Sequence, residues 1–243
     1  MLQHAGRRSA IPISPTVVVC QSGRFYPPTV KTAEDRLRYY AQAFPLLEVD
    51  SSYYAMPAPQ TAHLWAEHTP QDFIFDIKAF RLFTRHQTSP RVLPKEVREA
   101  LNTSKKMIYY GNMPEELLAE MWRQFRTALE PIKNAGKLGV VLFQFPPWFL
   151  ATRESRNHIE DCVRRMSSYR LAVEFRNETC FYEKTRERTL DFERSHGLAH
   201  VVVDEPTGSA SSIPSVWEVT RPDIAVVRRH GRNRATWNQC WRG

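Results

Sequence analysis

The sequence predicts a single parallel α/β barrel, and three observations carry that prediction. Short apolar runs recur along the chain, and most end in charged or polar residues. Amphipathic helical patterns fall between the runs, and no low-complexity linker interrupts the alternation. Strands and helices alternating at these lengths imply parallel βαβ units with right-handed crossovers. An all-apolar run suits a strand covered on both faces. Seven runs fit a TIM-type (β/α)8 barrel lacking its eighth βα unit at the C-terminus, since one unit takes roughly 30 residues and the chain stops at Trp241-Arg242-Gly243. A doubly wound open sheet is the alternative, but it wants a glycine-rich phosphate loop after the first strand, and none is present.

The elements follow in order. Residues 1–15 read as an irregular leader and 16–243 as one domain. Residues 16–20 (TVVVC) are the first strand. Residues 32–44 read as a helix, with Thr32 as cap, Glu34 and Asp35 at its positive end, and Leu37, Tyr40 and Phe44 at helical spacing. Residues 45–54 (PLLEVDSSYY) are the second strand, delivering Glu48 and Asp50, and a helix over 60–68 stops at Thr69-Pro70. The third strand, 73–80 (FIFDIKAF), carries Lys78, and a polar excursion through Arg98 follows it. A long helix over 114–134 has Pro114 at its start and Gly136 beyond its end. Then come strand 138–145 with Gln144 near its tip, helix 153–166, strand 170–177 (RLAVEFRN), helix 186–196, strand 198–206 (LAHVVVDEP) and strand 223–233 (DIAVVRRHGRN).

Composition bounds the function. The chain has 243 residues, 42% hydrophobic and 25% charged, and a net charge of +8. No run is long enough to span a bilayer, and the polar N-terminus lacks the apolar core of a signal peptide. Four widely spaced cysteines (Cys20, Cys162, Cys180, Cys240) form no CxxC pair and suggest reduced thiols in a cytoplasmic protein. The basic balance permits nucleic acid or another polyanion as partner, but the basic residues are scattered, which favours a solvated surface. The oligomeric state stays open.

The segments PLLEVDSSYYAMP, WAEHTPQDFIFDIKAF, LGVVLFQFPPWF, RLAVEFRN, VVVDEP and VVRRHGRN, in this order, resemble the YecE-like family, known as domain of unknown function 72. The resemblance runs from about Val17 to Trp237. It implies a TIM-barrel-like fold with polar residues collected at the strand ends, and no established reaction. The chain departs from the family pattern in having no Trp between Cys20 and Phe25, in Cys180 where Trp is common, and in Arg229 where Leu is usual. It also lacks the asparagine-rich eighth strand of other members.

Charged groups at the C-terminal ends of parallel strands are where α/β proteins build their sites. Glu48, Asp50, Glu174 and Asp204 oppose Lys78, Arg176, Arg228 and Arg232, four charges of each sign. Such a set tolerates burial when its members pair, so ion pairs tying strand ends together are one reading. In the other reading some of them face a ligand. His230 is the candidate for proton transfer because its ordinary pKa lies near neutrality, with Glu174 as orienting or second acid/base and Lys78 as base or amine nucleophile. Arg176, Arg228 and Arg232 suit bidentate recognition of an anion. Asn177, Gln144, Glu48, Asp50, Asp204 and Tyr54 complete the expected ligand contacts, and Tyr53, Phe145 and Trp148 offer aromatic walls. A divalent ion on Glu48, Glu174, Asp204 and His230 is an alternative cofactor, disfavoured because the neighbouring lysines and arginines repel a cation. His63, His68 and His86 are expected on the surface. These residues lead first to an enzyme acting on a small anionic metabolite such as a sugar phosphate or carboxylate. A non-catalytic polyanion-binding module and an inactive truncated remnant are the alternatives.

Overall fold

The computed structural model describes residues 25–205 and 212–230. Within them lie six strands: β1 (Leu46–Val49), β2 (Ile74–Lys78), β3 (Leu138–Gln144), β4 (Leu171–Glu174), β5 (Ala199–Asp204) and β6 (Val226–Arg229). They form one sheet in sequence order, and every neighbouring pair is parallel. The helices between them are α1 (Ala33–Ala43), α2 (Ser51–Tyr54), α3 (Pro59–Glu67), α4 (Lys95–Leu101), α5 (Glu115–Asn134), α6 (Arg153–Arg165) and α7 (Arg186–Ser195). This is the alternating α/β order expected from the sequence. The expected first strand, residues 16–20, lies outside the described residues. None of the described helices is long and apolar enough to cross a membrane.

The sheet is strongly curled. Strands sit about 4.8 Å apart, so the two edges of a flat six-stranded sheet would be about 24 Å apart. Instead, Arg228 on β6 reaches Glu48 on β1 at 2.7 Å. One irregularity helps the curl. Between β2 and β3 the pairing passes from Phe75↔Leu138 to Ile77↔Val141, which leaves one extra residue on β3. A bulge bends the strand that carries it. The Asp76 carboxylate accepts a hydrogen bond from Val140 N at 2.8 Å within the bulge. Gly139 makes the close approach of the strands fit. A Cβ there would lie 2.2 Å from Asp76 Oδ1 and 2.7 Å from Ile74 Cγ2.

The helices cover the outer face through apolar stripes at helical spacing. On α5, Leu118, Met121, Trp122, Phe125, Leu129 and Ile132 are buried, and Trp122 stacks on Phe83 with ring centres 3.7 Å apart. Full burial of one such side chain is worth roughly 1.5–3 kcal/mol. Thr32 and Asp35 cap α1 reciprocally, Thr32 Oγ1 accepting from Asp35 N at 3.0 Å and Asp35 Oδ2 from Thr32 N at 3.2 Å.

Two expectations need correction. The run over 45–54 is not one strand: it ends at Val49 and turns into α2. The cause is Ser52, whose buried hydroxyl sits 2.6 Å from Val49 O and 2.7 Å from Lys78 O and so favours a turn over continued extension. The segment after β2 is also more than a polar excursion. It contains α4 and a Thr88–Ile108 bridge, and Phe80, Leu82 and Phe83 on it are fully buried. His158 Nε2 holds the Phe83 carbonyl at 2.8 Å, while Trp122 Nε1 donates to Tyr110 Oη and Tyr110 Oη to Asp161.

Gly139→Ala is expected to lower stability by about 1–3 kcal/mol through overpacking, seen as a lower urea midpoint. Adding Asp76→Ala should recover part of that loss. An unchanged midpoint in Gly139→Ala would contradict the close fit at the bulge.

Candidate functional site

The C-terminal ends of the strands hold a continuous chain of buried charges. Arg228 donates from Nε and Nη2 to the two oxygens of Glu48 at 3.0 and 2.7 Å, and from Nη1 to Glu174 Oε2 at 2.6 Å. Glu174 Oε1 accepts from Gln144 Nε2 at 2.8 Å and lies against Arg176 Nε. That last approach is an ion contact without hydrogen-bond alignment, because Arg176 Nε itself lacks a hydrogen-bond partner. Arg176 continues the chain, donating from Nη1 to Glu205 Oε2 at 2.6 Å and from Nη2 to His230 Nε2 at 2.7 Å. Glu205 Oε1 in turn accepts from Ile213 N at 2.9 Å. Glu48, Glu174, Arg176, Glu205 and Arg228 are each less than 8% exposed.

The protonation states follow from this wiring. Burial opposes ionisation of Glu174, but the Arg228 and Arg176 guanidiniums outweigh it and hold the carboxyl far below the usual range. Glu48 shares one guanidinium with Glu174, and there burial wins, pushing its pKa up to about 7. Burial also raises Glu205. Burial, and then the Arg176 cation, bring His230 down to about 4, so it is neutral near pH 7. With Nε2 accepting from Arg176, the ring proton resides on Nδ1.

Beside this chain, α2 places a second group over the end of β2. Lys78 Nζ reaches Asp50 Oδ1 at 3.1 Å, with 13% of the lysine side chain exposed, and lies 4.8 Å from the Tyr53 ring centre. Arg81 lies over the same ring at 5.3 Å. The His86 ring packs edge-on to Tyr53 at 5.3 Å and to Trp148 at 5.6 Å. Burial, helped by the Arg81 and Lys78 cations, lowers His86 to about 4. Trp148 and Tyr54 are 61% and 60% exposed and form an aromatic rim. A separate groove of about 640 Å³ lies on the outer flank between residues 55–59, 92–96 and α5. The charged pair Glu120 and Arg123 inside it is already matched, and the strand-end chemistry lies elsewhere.

The structure brings together Glu48, Gln144, Glu174, Arg176, Arg228 and His230, and sets Asp50 and Lys78 beside them. It reassigns several expected roles. Arg176 and Arg228 are occupied by glutamates, which argues against them as the anion holders, and Glu174 is too strongly held as an anion to exchange protons near neutrality. Glu205, not Asp204, meets Arg176. On β5 the register pairs Val203 with Arg228 and Asp204 with the exposed Arg229, so Asp204 is out of step with the inward set. Asn177 caps the following turn, its Oδ1 accepting from Thr179 N at 2.9 Å, and its Nδ2 donates to the Pro147 carbonyl. Phe145 belongs to the core. His86 is half-buried at the mouth rather than on the surface. His68, with 13% of its side chain exposed, faces Glu34, whereas His63 is exposed as expected. Arg232 lies outside the described residues. Among the described residues no three His, Cys, Asp or Glu side chains gather as metal ligands, and Arg228 stands between Glu48 and Glu174, where the metal reading needed an ion. Sequence reasoning missed Glu205, Arg81 and His86. The unbroken run Val201–Val203 does not fix which of Asp204 and Glu205 turns inward, and no local pattern marks the other two.

Comparison with known proteins agrees with this architecture. The family model described as protein of unknown function DUF72 matches residues 18–241. UPF0759 protein YunF of Bacillus subtilis (strain 168) is 34% identical over 213 residues, covering 87% of this chain and 67% of that one. The crystal structure of a DUF72 family protein from Enterococcus faecalis V583 superposes with a TM-score of 0.68 at 26% identity, over 84% of this chain and 72% of the other. That of a DUF72 family protein from Thermotoga maritima MSB8 gives 0.62 at 27% identity, over 89% and 72%.

Folding raises the pKa of Glu48 above the ordinary 4.5 to about 7. Its contribution to stability is therefore full below about pH 4.5 and lost as pH rises through about 7. Glu48→Gln should flatten that part of the profile, so its urea midpoint falls less than wild type between pH 5 and 8. Equal falls in the two proteins would contradict the assignment.

Proposed function

The chain belongs to the DUF72 family, and we propose that it is a TIM-barrel-type enzyme whose strand-end mouth binds a small polar anion, a sugar phosphate or carboxylate, and moves a proton on it. The observation that carries this reading is the setting of Lys78. It is a partly exposed ammonium at the end of a parallel strand, tethered to Asp50 and close enough to His86 and His230 for its charge to help keep both imidazoles neutral. A cation beside neutral imidazoles can bind an anion, and the neutral imidazole is the form that accepts a proton. The buried chain from Glu48 to Glu205 serves as scaffold, with Glu174 and Arg176 as positioning residues for His230. The bond from Arg176 to its Nε2 fixes the ring in one tautomer at the mouth. The exposed Trp148 and Tyr54 supply flat apolar faces against which a sugar ring packs.

The curled parallel sheet supports the barrel assignment, and the buried thiols of Cys162 and Cys180, both free, are in keeping with a cytoplasmic setting.

A thermal-shift screen against sugar phosphates and carboxylates tests the reading. A ligand at 100 times its Kd should raise the unfolding temperature by about 5–10 °C. Lys78→Ala should abolish the shift, and His230→Asn should lower turnover of that ligand by about 10²-fold or more while leaving much of the shift. A shift retained in full by Lys78→Ala would contradict the proposal.

A further inference from the structure

Arg81, a cation at this mouth, has no carboxylate partner among the described residues. Arg176 and Arg228 are matched by glutamates and Lys78 by Asp50. Arg81 differs. It is half-buried, and no carboxylate among the described residues pairs with it. Its Nε is buried without a hydrogen-bond partner. What the guanidinium touches is the Tyr53 ring, which it shares with Lys78. A buried donor left unsatisfied costs about 1–3 kcal/mol, and more when charged. Such a cost persists where a ligand completes the bonding.

The backbone around Arg81 is held at both ends of the residue. Its N–H donates to Tyr53 O at 3.0 Å, and its carbonyl accepts from His86 N at 3.1 Å and from the Thr84 hydroxyl at 3.1 Å. The side chain therefore starts from a fixed point three residues beyond Lys78, on the segment that also carries His86. A planar guanidinium and an ammonium that share one aromatic ring suit an oxyanion: the fork takes two oxygens and the ammonium adds charge.

We infer that Arg81 is the anion seat of the mouth, holding a carboxylate or phosphoryl group between its guanidinium and the Lys78 ammonium. This rests on the mouth being a ligand site and replaces Arg176 and Arg228 in the role of anion holder. The body of the ligand then extends toward His86 and Trp148. Because no carboxylate among the described residues matches Arg81 and its Nε lacks a hydrogen-bond partner, its replacement by an apolar side chain separates binding from stability.

The test uses the full chain titrated with sodium phosphate and, separately, sodium acetate at constant ionic strength, following the unfolding temperature and, for phosphate, the ³¹P linewidth. Wild type is expected to bind at least one of the two ions saturably, with phosphate or acetate identifying the head group. Arg81→Met should weaken that binding at least tenfold, Arg81→Lys should weaken it less, and ligand-free Arg81→Met should unfold at or above the wild-type temperature. Binding that survives Arg81→Met but disappears in Lys78→Ala overturns the Arg81 seat and leaves the mouth as a ligand site. No saturable binding of either ion to wild type overturns the seat. If sugar phosphates or carboxylates still shift wild type but not Lys78→Ala, the wider reading survives that failure. A lower ligand-free unfolding temperature in Arg81→Met, with binding unchanged, identifies Arg81 as structural.

Discussion

Arg228 is the side chain on which this architecture turns. It lies on the last described strand, yet its partners are Glu48 on the first and Glu174 on the fourth. The first, fourth and sixth strands of the sheet order are thereby joined at one guanidinium. Buried ion pairs are weak as net stabilisers, because desolvating the charges costs about as much as their attraction returns. Breaking one, however, strands the remaining charges. The network is therefore better understood as a constraint on geometry than as a source of stability. It favours a curled sheet, because in a flat one Glu48 would be a buried carboxylate out of reach of Arg228.

This constraint also sorts the charged residues by role. Guanidiniums saturated by glutamates are poor ligand holders, since an incoming anion would have to displace a carboxylate already bonded at 2.6–3.0 Å. Of the groups left to meet a ligand, Lys78 ends β2, while Tyr53, Arg81 and His86 lie on the segments that follow β1 and β2. Tyr53 reaches the mouth because Ser52 turns the chain immediately after β1. His86 reaches it because the segment after β2 is packed through Phe80, Leu82 and Phe83 instead of hanging in solvent. Site formation thus depends on the core of that segment as much as on the strand ends.

The sequence made much of this visible. Strand runs ending in charge located Glu48, Lys78, Glu174, Arg176 and Arg228, because a buried parallel strand leaves only its end for polar residues. The equal number of opposite charges anticipated mutual pairing. What remained hidden depended on tertiary contact. That Arg228 bridges to Glu48 across 180 residues has no local signature. The phase of β5, which brings in Glu205 and not Asp204, is set by pairing with β6. The turn at Ser52 rests on a carbonyl of β2, 26 residues on. His86 looked like a loop histidine because only its aromatic and cationic neighbours bury it. Membership of a family of unknown function narrows the architecture and leaves the chemistry to these side chains.

The most direct test of the central role of Arg228 is a double-mutant cycle between Glu48→Gln and Arg228→Met, measured by urea unfolding at pH 8.5. There Glu48 is ionised, and the two edges of the sheet are joined by a full charge pair. The single substitutions should be non-additive, with a coupling energy of at least about 1.5 kcal/mol and Arg228→Met alone costing about 3–5 kcal/mol. Additive effects, with coupling below about 0.5 kcal/mol, would show that the sheet holds its curl without this pair.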